Sequence, residues 1–136
     1  MTTPDPSYTG YSQDRAAHLI GVELQEVRPG FAQAQLKIQP THLNGLGTVH
    51  GGIVYLLADT VFAYVCNARG VKTVAARCDI TYHLPTHVGD TLTATGEERY
   101  LKGRSGIYDV VVTNQNDQTV AHFRGHSAAL KTSQSG

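Results

Sequence analysis

The stretch HLNGLGTVHGGIVYLLAD, His42 to Asp59, sets a polar turn, a His-Gly-Gly and an apolar helix in succession. The glycines Gly51 and Gly52 fall where the helix begins, leaving backbone N–H groups open to a ligand. One carboxylate, Asp59, stands inside the helix, between Leu56-Leu57-Ala58 and Val61-Phe62. A lone charge among apolar neighbours is costly and is rare unless it has work to do. An anion-stabilising helix start followed by an isolated acid marks a candidate active site.

Outward from this stretch the periodicity changes. The helix is predicted from about Gly51 to Arg69, with Gly70 as its C′ residue and Arg69 at the negative dipole end. Apolar residues occupy most of its circumference, so it should be buried on several sides. After it, Thr73–His83, Thr91–Leu101, Gly106–Thr113 and Gln118–Leu130 read as strands, separated by turn signals at 85–90, 102–103 and 114–117. Before it, Val22–Val27 and Phe31–Ile38 flank a Pro29-Gly30 turn, and Ser12 caps a short helix through about Ile20 with Asp14 in its first turn. The pattern predicts an α+β fold: a long central helix wrapped by a curved antiparallel sheet. Residues 1–136 form one domain, with 1–11 and 131–136 as flexible tails.

Composition narrows the function classes. The chain has 136 residues, 40% of them hydrophobic, and a formal net charge of zero. No global field favours nucleic acid or an anionic membrane. No run of about 18 apolar residues spans a bilayer, and the start lacks a signal-peptide pattern, so a cytoplasmic location is expected. Cys66 and Cys78 lie in apolar segments and match no metal spacing, which suits reduced, buried thiols.

The candidate site divides into roles. Asp59 can act as a general base on water, or as a nucleophile that attacks a carbonyl directly. The Gly51 N–H is placed to stabilise the oxyanion of acyl transfer, and Gly52 permits close approach. His50 either bonds the substrate carbonyl or organises the loop. Asn44 either holds water or the carbonyl, or stabilises the turn beside Gly45. Gly51 and Asp59 are eight residues apart, a rise of about 12 Å on one helix. They cannot serve one carbonyl within one chain, since both must lie within roughly 3 Å of neighbouring atoms. A two-fold homodimer with antiparallel helices would bring Gly51 of one subunit to Asp59 of the other, twice.

These residues carry a family resemblance. His42-Leu43-Asn44, His50-Gly51-Gly52 and Leu57-Ala58-Asp59 resemble the hotdog-fold acyl-CoA thioesterases of the phenylacetate-pathway (PaaI-type) group. Asp79-Ile80-Thr81-Tyr82-His83-Leu84-Pro85, Gly89-Asp90 and Gly103-Arg104-Ser105 extend the likeness, which covers about Leu19 to Leu130. The resemblance implies thioester hydrolysis, with Asp59 as base or nucleophile, Gly51 in the oxyanion hole and Asn44 assisting. It also implies an acyl-CoA substrate, aromatic acyl groups among the candidates, and dimers commonly assembled as a homotetramer. Arg99, Lys102 and Arg104, near one hairpin turn, are then the cations expected to hold the coenzyme A phosphates, with Arg77 a weaker candidate. Two positions depart from the group: Leu84 stands where many relatives have Arg, and Ala75-Ala76-Arg77 occupies a place where some carry a Ser or Thr that positions water.

Two other readings share the residues: a hotdog dehydratase or hydratase using Asp59 with His50, and a non-catalytic acyl-CoA-binding module. No metal or separate cofactor is expected. His122 and His126 have a helical chelate spacing but lie in a strand-like segment, where they would be about 13 Å apart. His83 and His87 straddle Pro85 and face the same objection. No Ser lies in a nucleophile-elbow context.

Overall fold

The computed structural model describes residues 13–131. The elements run α1 (Arg15–Ile20), β1 (Glu23–Arg28), β2 (Phe31–Lys37), a 3₁₀ turn (Pro40–His42), α2 (Gly51–Asn67), β3 (Thr73–Tyr82), β4 (Thr91–Lys102), β5 (Ser105–Thr113) and β6 (Thr119–Ala129). The described strands form one six-stranded sheet in the order β1-β2-β4-β5-β6-β3, every neighbouring pair antiparallel. The α+β expectation of one long helix packed on an antiparallel sheet holds.

Alternation builds the inner face. Ala32, Ala34 and Leu36 of β2, Leu92 and Ala94 of β4, and Tyr108, Val110 and Val112 of β5 all point inward and are buried. Against them α2 buries Val54, Leu57, Ala58, Val61, Phe62 and Val65. Glycine lets the helix sit close. A Cβ on Gly96 would lie 2.8 Å from Val61, and one on Gly125 would lie 2.6 Å from the Phe62 ring. Phe62 in turn meets Tyr108 and Phe123 at ring-centroid distances of 5.8 Å.

The strand positions agree with the sequence reading to within a residue or two, whereas three local expectations change. Asp14 is the N-cap of α1, its side chain accepting the Ala17 N–H at 3.0 Å; Ser12 lies outside the described residues, as do most of the two tails. The long helix stops at Asn67 rather than Arg69. Asn67 is claimed by β3: its Nδ2 donates to the Thr73 carbonyl at 3.1 Å, and its Oδ1 accepts the Thr73 N–H at 2.9 Å. Cys66 is buried, but Cys78 is only half-buried; both are free thiols.

Two features stay open. Among the described residues β3 pairs only with β6, so the other edge of this ten-residue strand has no partner there. On α2, Tyr55, Leu56, Asp59, Ala63 and Asn67 form a half-exposed stripe at helical spacing. No described helix is long and apolar enough to cross a membrane.

Candidate active site

The turn before α2 is built from its own polar groups. The Asn44 Oδ1 accepts the N–H groups of Leu46 at 2.8 Å and Thr48 at 3.2 Å, and its Nδ2 donates to the Thr48 hydroxyl at 2.9 Å. Asn44 thus holds the loop that leads into the helix. The buried His42 anchors the same loop. Its Nδ1 accepts the Gln39 N–H at 3.0 Å, its Nε2 lies 2.9 Å from the Ile20 carbonyl, and its own carbonyl accepts the His50 N–H at 2.8 Å.

His50 is the N-cap of α2. Its Nδ1 accepts the Gly52 N–H at 2.8 Å, which fixes the neutral ring with its proton on Nε2. This explains the glycine at 52: a Cβ there would stand 3.0 Å from the His50 Nδ1. The cap also selects one donor. The N–H groups of Gly52, Ile53 and Val54 all have acceptors on His50, whereas the Gly51 N–H has none among the described residues. The free donor at the positive end of the helix is therefore that of Gly51.

Tyr82, at the end of the edge strand, carried no site role in the sequence reading. Its hydroxyl donates to the Gly51 carbonyl at 2.8 Å, and its ring lies 3.3 Å from where a Gly51 Cβ would be. A groove of about 320 Å³ opens here, walled by Val49, Gly51, Val54, Tyr82, Leu84 and Pro85. Leu84 makes this wall apolar.

Asp59 is half-buried and has no hydrogen bond or ion pair among the described residues. Burial first, and the charge of Asp14 second, raise its carboxyl above the ordinary value of 3.8. Its surroundings are neutral acids. Burial and the adjacent Cys78 push the Tyr55 phenol up to about 12, and burial pushes the Cys66 thiol up to about 12 as well. Tyr55 is held edge-on to Phe123, with ring centroids 5.5 Å apart. Tyr55 and Cys78 are further residues of this site that the sequence reading passed over. Their apolar flanks gave no signal of it.

The expected phosphate cations separate. Lys102 and Arg104 sit on the β4–β5 hairpin around Gly103, whose φ is 60°. The Arg104 Nε donates to the Ala129 carbonyl at 3.0 Å. The hairpin lies against the C-terminal end of α2, where Leu101, Gly103 and Arg104 share a cavity of about 90 Å³ with Cys66 and Arg69. Arg99 falls at a β-bulge between Glu98 and Tyr100 and turns to the sheet's outer face, away from α2. There it pairs with Asp109 at 3.1 Å and Glu97 at 3.7 Å. Arg77 is exposed on β3, beside another register shift.

A free helix-terminal donor, an unpartnered acid on the same helix and an apolar groove are the parts of an acyl-transfer site. Residues 46–121 match the family described as the thioesterase superfamily. The chain belongs to that superfamily. It is a thioester hydrolase with the hotdog fold. It is 41% identical over 117 residues to acyl-coenzyme A thioesterase PaaI of Escherichia coli K12, covering 86% of this chain and 84% of that one. The structure of E. coli PaaI, from the phenylacetic acid degradation operon, superposes with a TM-score of 0.88 at 39% identity, over 90% of this chain and 88% of the other. The TT0310 protein of Thermus thermophilus gives 0.81 at 34% identity, over 85% and 97% of the two chains. The protein smu.793 of Streptococcus mutans, solved with acetyl-CoA bound, gives 0.79 at 25% identity, over 82% and 90%.

Proposed function

We propose that this chain hydrolyses an acyl-CoA thioester to the free acid and coenzyme A, with Asp59 and the Gly51 N–H as the reacting groups. The observation that carries this reading is the selective freeing of one helix-terminal donor. The His50 cap occupies the next N–H and leaves that of Gly51 open. There it can take the charge that develops on the thioester oxygen as the tetrahedral intermediate forms. Asp59, without a counter-ion and raised by burial, is a stronger base than an exposed carboxylate. It takes a proton from water attacking the carbonyl, or attacks the carbonyl itself; both routes use the same ionised oxygen.

The site is proposed to be shared between two subunits. Gly51 and Asp59 are separated by about 12 Å along α2, and the half-exposed stripe on that helix, together with the free edge of β3, supplies a surface for a second copy. With antiparallel helices, Asp59 and the Lys102–Arg104 hairpin of one chain would face Gly51 of the partner subunit. The hairpin cations would then hold the coenzyme A phosphates at one end of the site. Pairing of two such dimers as a tetramer is expected from the resemblance. No metal or separate cofactor is assigned to the reaction.

The acyl-CoA assignment draws on the name of the E. coli relative and on the acetyl-CoA complex of the S. mutans protein. An aromatic acyl group is favoured by the rings of Tyr55 and Tyr82 beside the two reacting positions and by the operon of E. coli PaaI. The free thiols of Cys66 and Cys78 favour a reducing, cytoplasmic setting.

Thiol release from a panel of aryl- and alkyl-CoA thioesters tests this function. Aryl substrates should be turned over best, and Asp59→Asn should lose about 10²–10⁴-fold in rate while still binding substrate. Binding without thiol release in the wild-type protein would sink the hydrolase reading and leave a binding module. Activity in Asp59→Asn within about three-fold of wild type would remove Asp59 from the chemistry.

A further inference from the structure

The sequence spacing separates His83 from His87 and His122 from His126, yet the fold pairs one member of each set. His83 follows β3, and its backbone N–H donates to the Val120 carbonyl at 2.7 Å. His122 lies on β6, opposite Thr81. The two side chains are therefore diagonal neighbours on the outer face of the sheet, away from α2. Their rings cross nearly at right angles, at 80°, with centroids 4.9 Å apart, and His83 Nε2 lies 2.8 Å from His122 Nδ1.

We propose that His83 and His122 form a two-imidazole site for a borderline divalent transition cation of the zinc or copper class. In the hydrogen-bonded pair one nitrogen carries the proton and the other accepts it, so the two nitrogens face each other along one line between the strands. If the donor ring moves its proton to its other nitrogen, two neutral imidazoles present two lone pairs to the space between them. Zinc binds imidazole nitrogen at about 2.0–2.1 Å. Two nitrogens at a tetrahedral angle on one ion are then about 3.3 Å apart. The rings need to open by about half an ångström from their present separation and to swing by about 35° each, so that both lone pairs meet at the ion. Both are exposed and can turn by that much, while the antiparallel ladder between β3 and β6 fixes their backbones. Water would complete the coordination.

The surrounding charges allow a cation. A wide groove on this face includes Asp79, Thr81, Asp109, His122 and Arg124. Arg124 is committed to Asp109 by contacts of 2.6 and 2.9 Å, whereas Asp79 forms no ion pair among the described residues. Imidazole ligands prefer copper and zinc, while a carboxylate site would take magnesium. His83 also lines the groove at Gly51, so the pair adjoins the proposed thioesterase site, and its expected effect there is mechanical. A bound ion ties the end of the edge strand to β6, one residue beyond Tyr82.

Titration calorimetry on the full chain with ZnCl₂, CuCl₂ and MgCl₂ tests the proposal. One zinc should bind per chain, copper should bind more tightly, and magnesium should not compete. His83→Gln and His122→Gln should each weaken zinc by at least about ten-fold, since each removes one of two ligands. His87→Gln should leave it unchanged. Zinc should also raise the Tm of the wild type and not of the double variant His83→Gln/His122→Gln. Equal zinc affinity in the double variant would overturn the assignment. So would equal competition by magnesium, or the absence of zinc binding below about 1 mM, which would leave a hydrogen-bonded pair and nothing more.

Discussion

The Tyr82 hydroxyl donates to the Gly51 carbonyl across 2.8 Å, so the edge strand grips the first residue of the long helix. The same residue presents the free N–H on its other side. A change at Tyr82 should therefore be felt as a loss of order in the proposed oxyanion donor. Tyr82→Phe keeps the ring and removes the bond. It should lower kcat by about three- to ten-fold, as expected for about one hydrogen bond's worth of positioning, with little change in KM. A variant with unchanged kcat and a raised KM would instead make Tyr82 only a wall of the groove.

Asp59 gives opposite signs for activity and stability. Its folded carboxyl is raised above the ordinary value, so the folded state holds the proton more tightly than the unfolded chain. Its contribution to stability is present at low pH, below the unfolded value, and is lost as pH rises through the folded one. Hydrolysis should show the reverse: a rising limb with an apparent pKa above 3.8, absent from Asp59→Asn. At neutral pH Asp59→Asn should melt higher than wild type while losing activity. A lower Tm with an unshifted pH profile would show that the carboxylate has a structural partner after all.

Lys102→Ala with Arg104→Ala should raise KM by about ten-fold or more and leave kcat nearly unchanged. Phosphate contacts far from the thioester stabilise ground and transition states alike. Neither side chain is buried, so the fold should be intact. An unchanged KM would return the hairpin to a solvated surface. Arg99→Ala is a useful contrast, because Arg99 is occupied by Asp109 and Glu97 on the far face.

A mixed dimer should reveal the shared site. Asp59→Asn and Gly51→Val chains, each inactive, should regain about half of wild-type activity when co-assembled, because one of the two sites then carries neither lesion. The Val side chain at Gly51 would meet the Tyr82 ring, already 3.3 Å from an added Cβ, so folding of that parent must be verified first. Verified mixed dimers as inactive as their parents would end the two-subunit account.

Much of the fold was legible because it rests on periodicity. Alternation at Leu92 and Ala94, and an apolar run closed by a lone Asp59, are local signals. What the sequence could not show depends on pairing across the sheet. β3 runs beside β6 rather than beside its neighbour in sequence, and only that order sets His83 against His122. The bulge after Glu98 reverses the side on which Arg99 emerges, so proximity to Lys102 in sequence misplaced it on the surface. Asn67 ends the helix early through a bond to Thr73 that no helix-stop pattern encodes. In the loop, Asn44 and His50 had two readings each, and the geometry fills both with local hydrogen bonds. Those bonds leave the exposed His50 ring with no partner at Nε2 among the described residues.

The glycines beneath Val61 and Phe62 act as a depth gauge. With hydrogen in place of a methyl at 96 and 125, the helix settles into the sheet until carbon meets carbon. How far it settles sets how proud the half-exposed stripe that carries Asp59 stands. Gly125→Ala, with its methyl only 2.6 Å from the Phe62 ring, would lift the rod by a fraction of an ångström and destabilise the fold by about 1–3 kcal/mol. The lift would also carry the acid toward whatever lies against the stripe. The chemistry proposed for the exposed surface of this helix would thus be tunable from its hidden underside, through glycines buried beneath it.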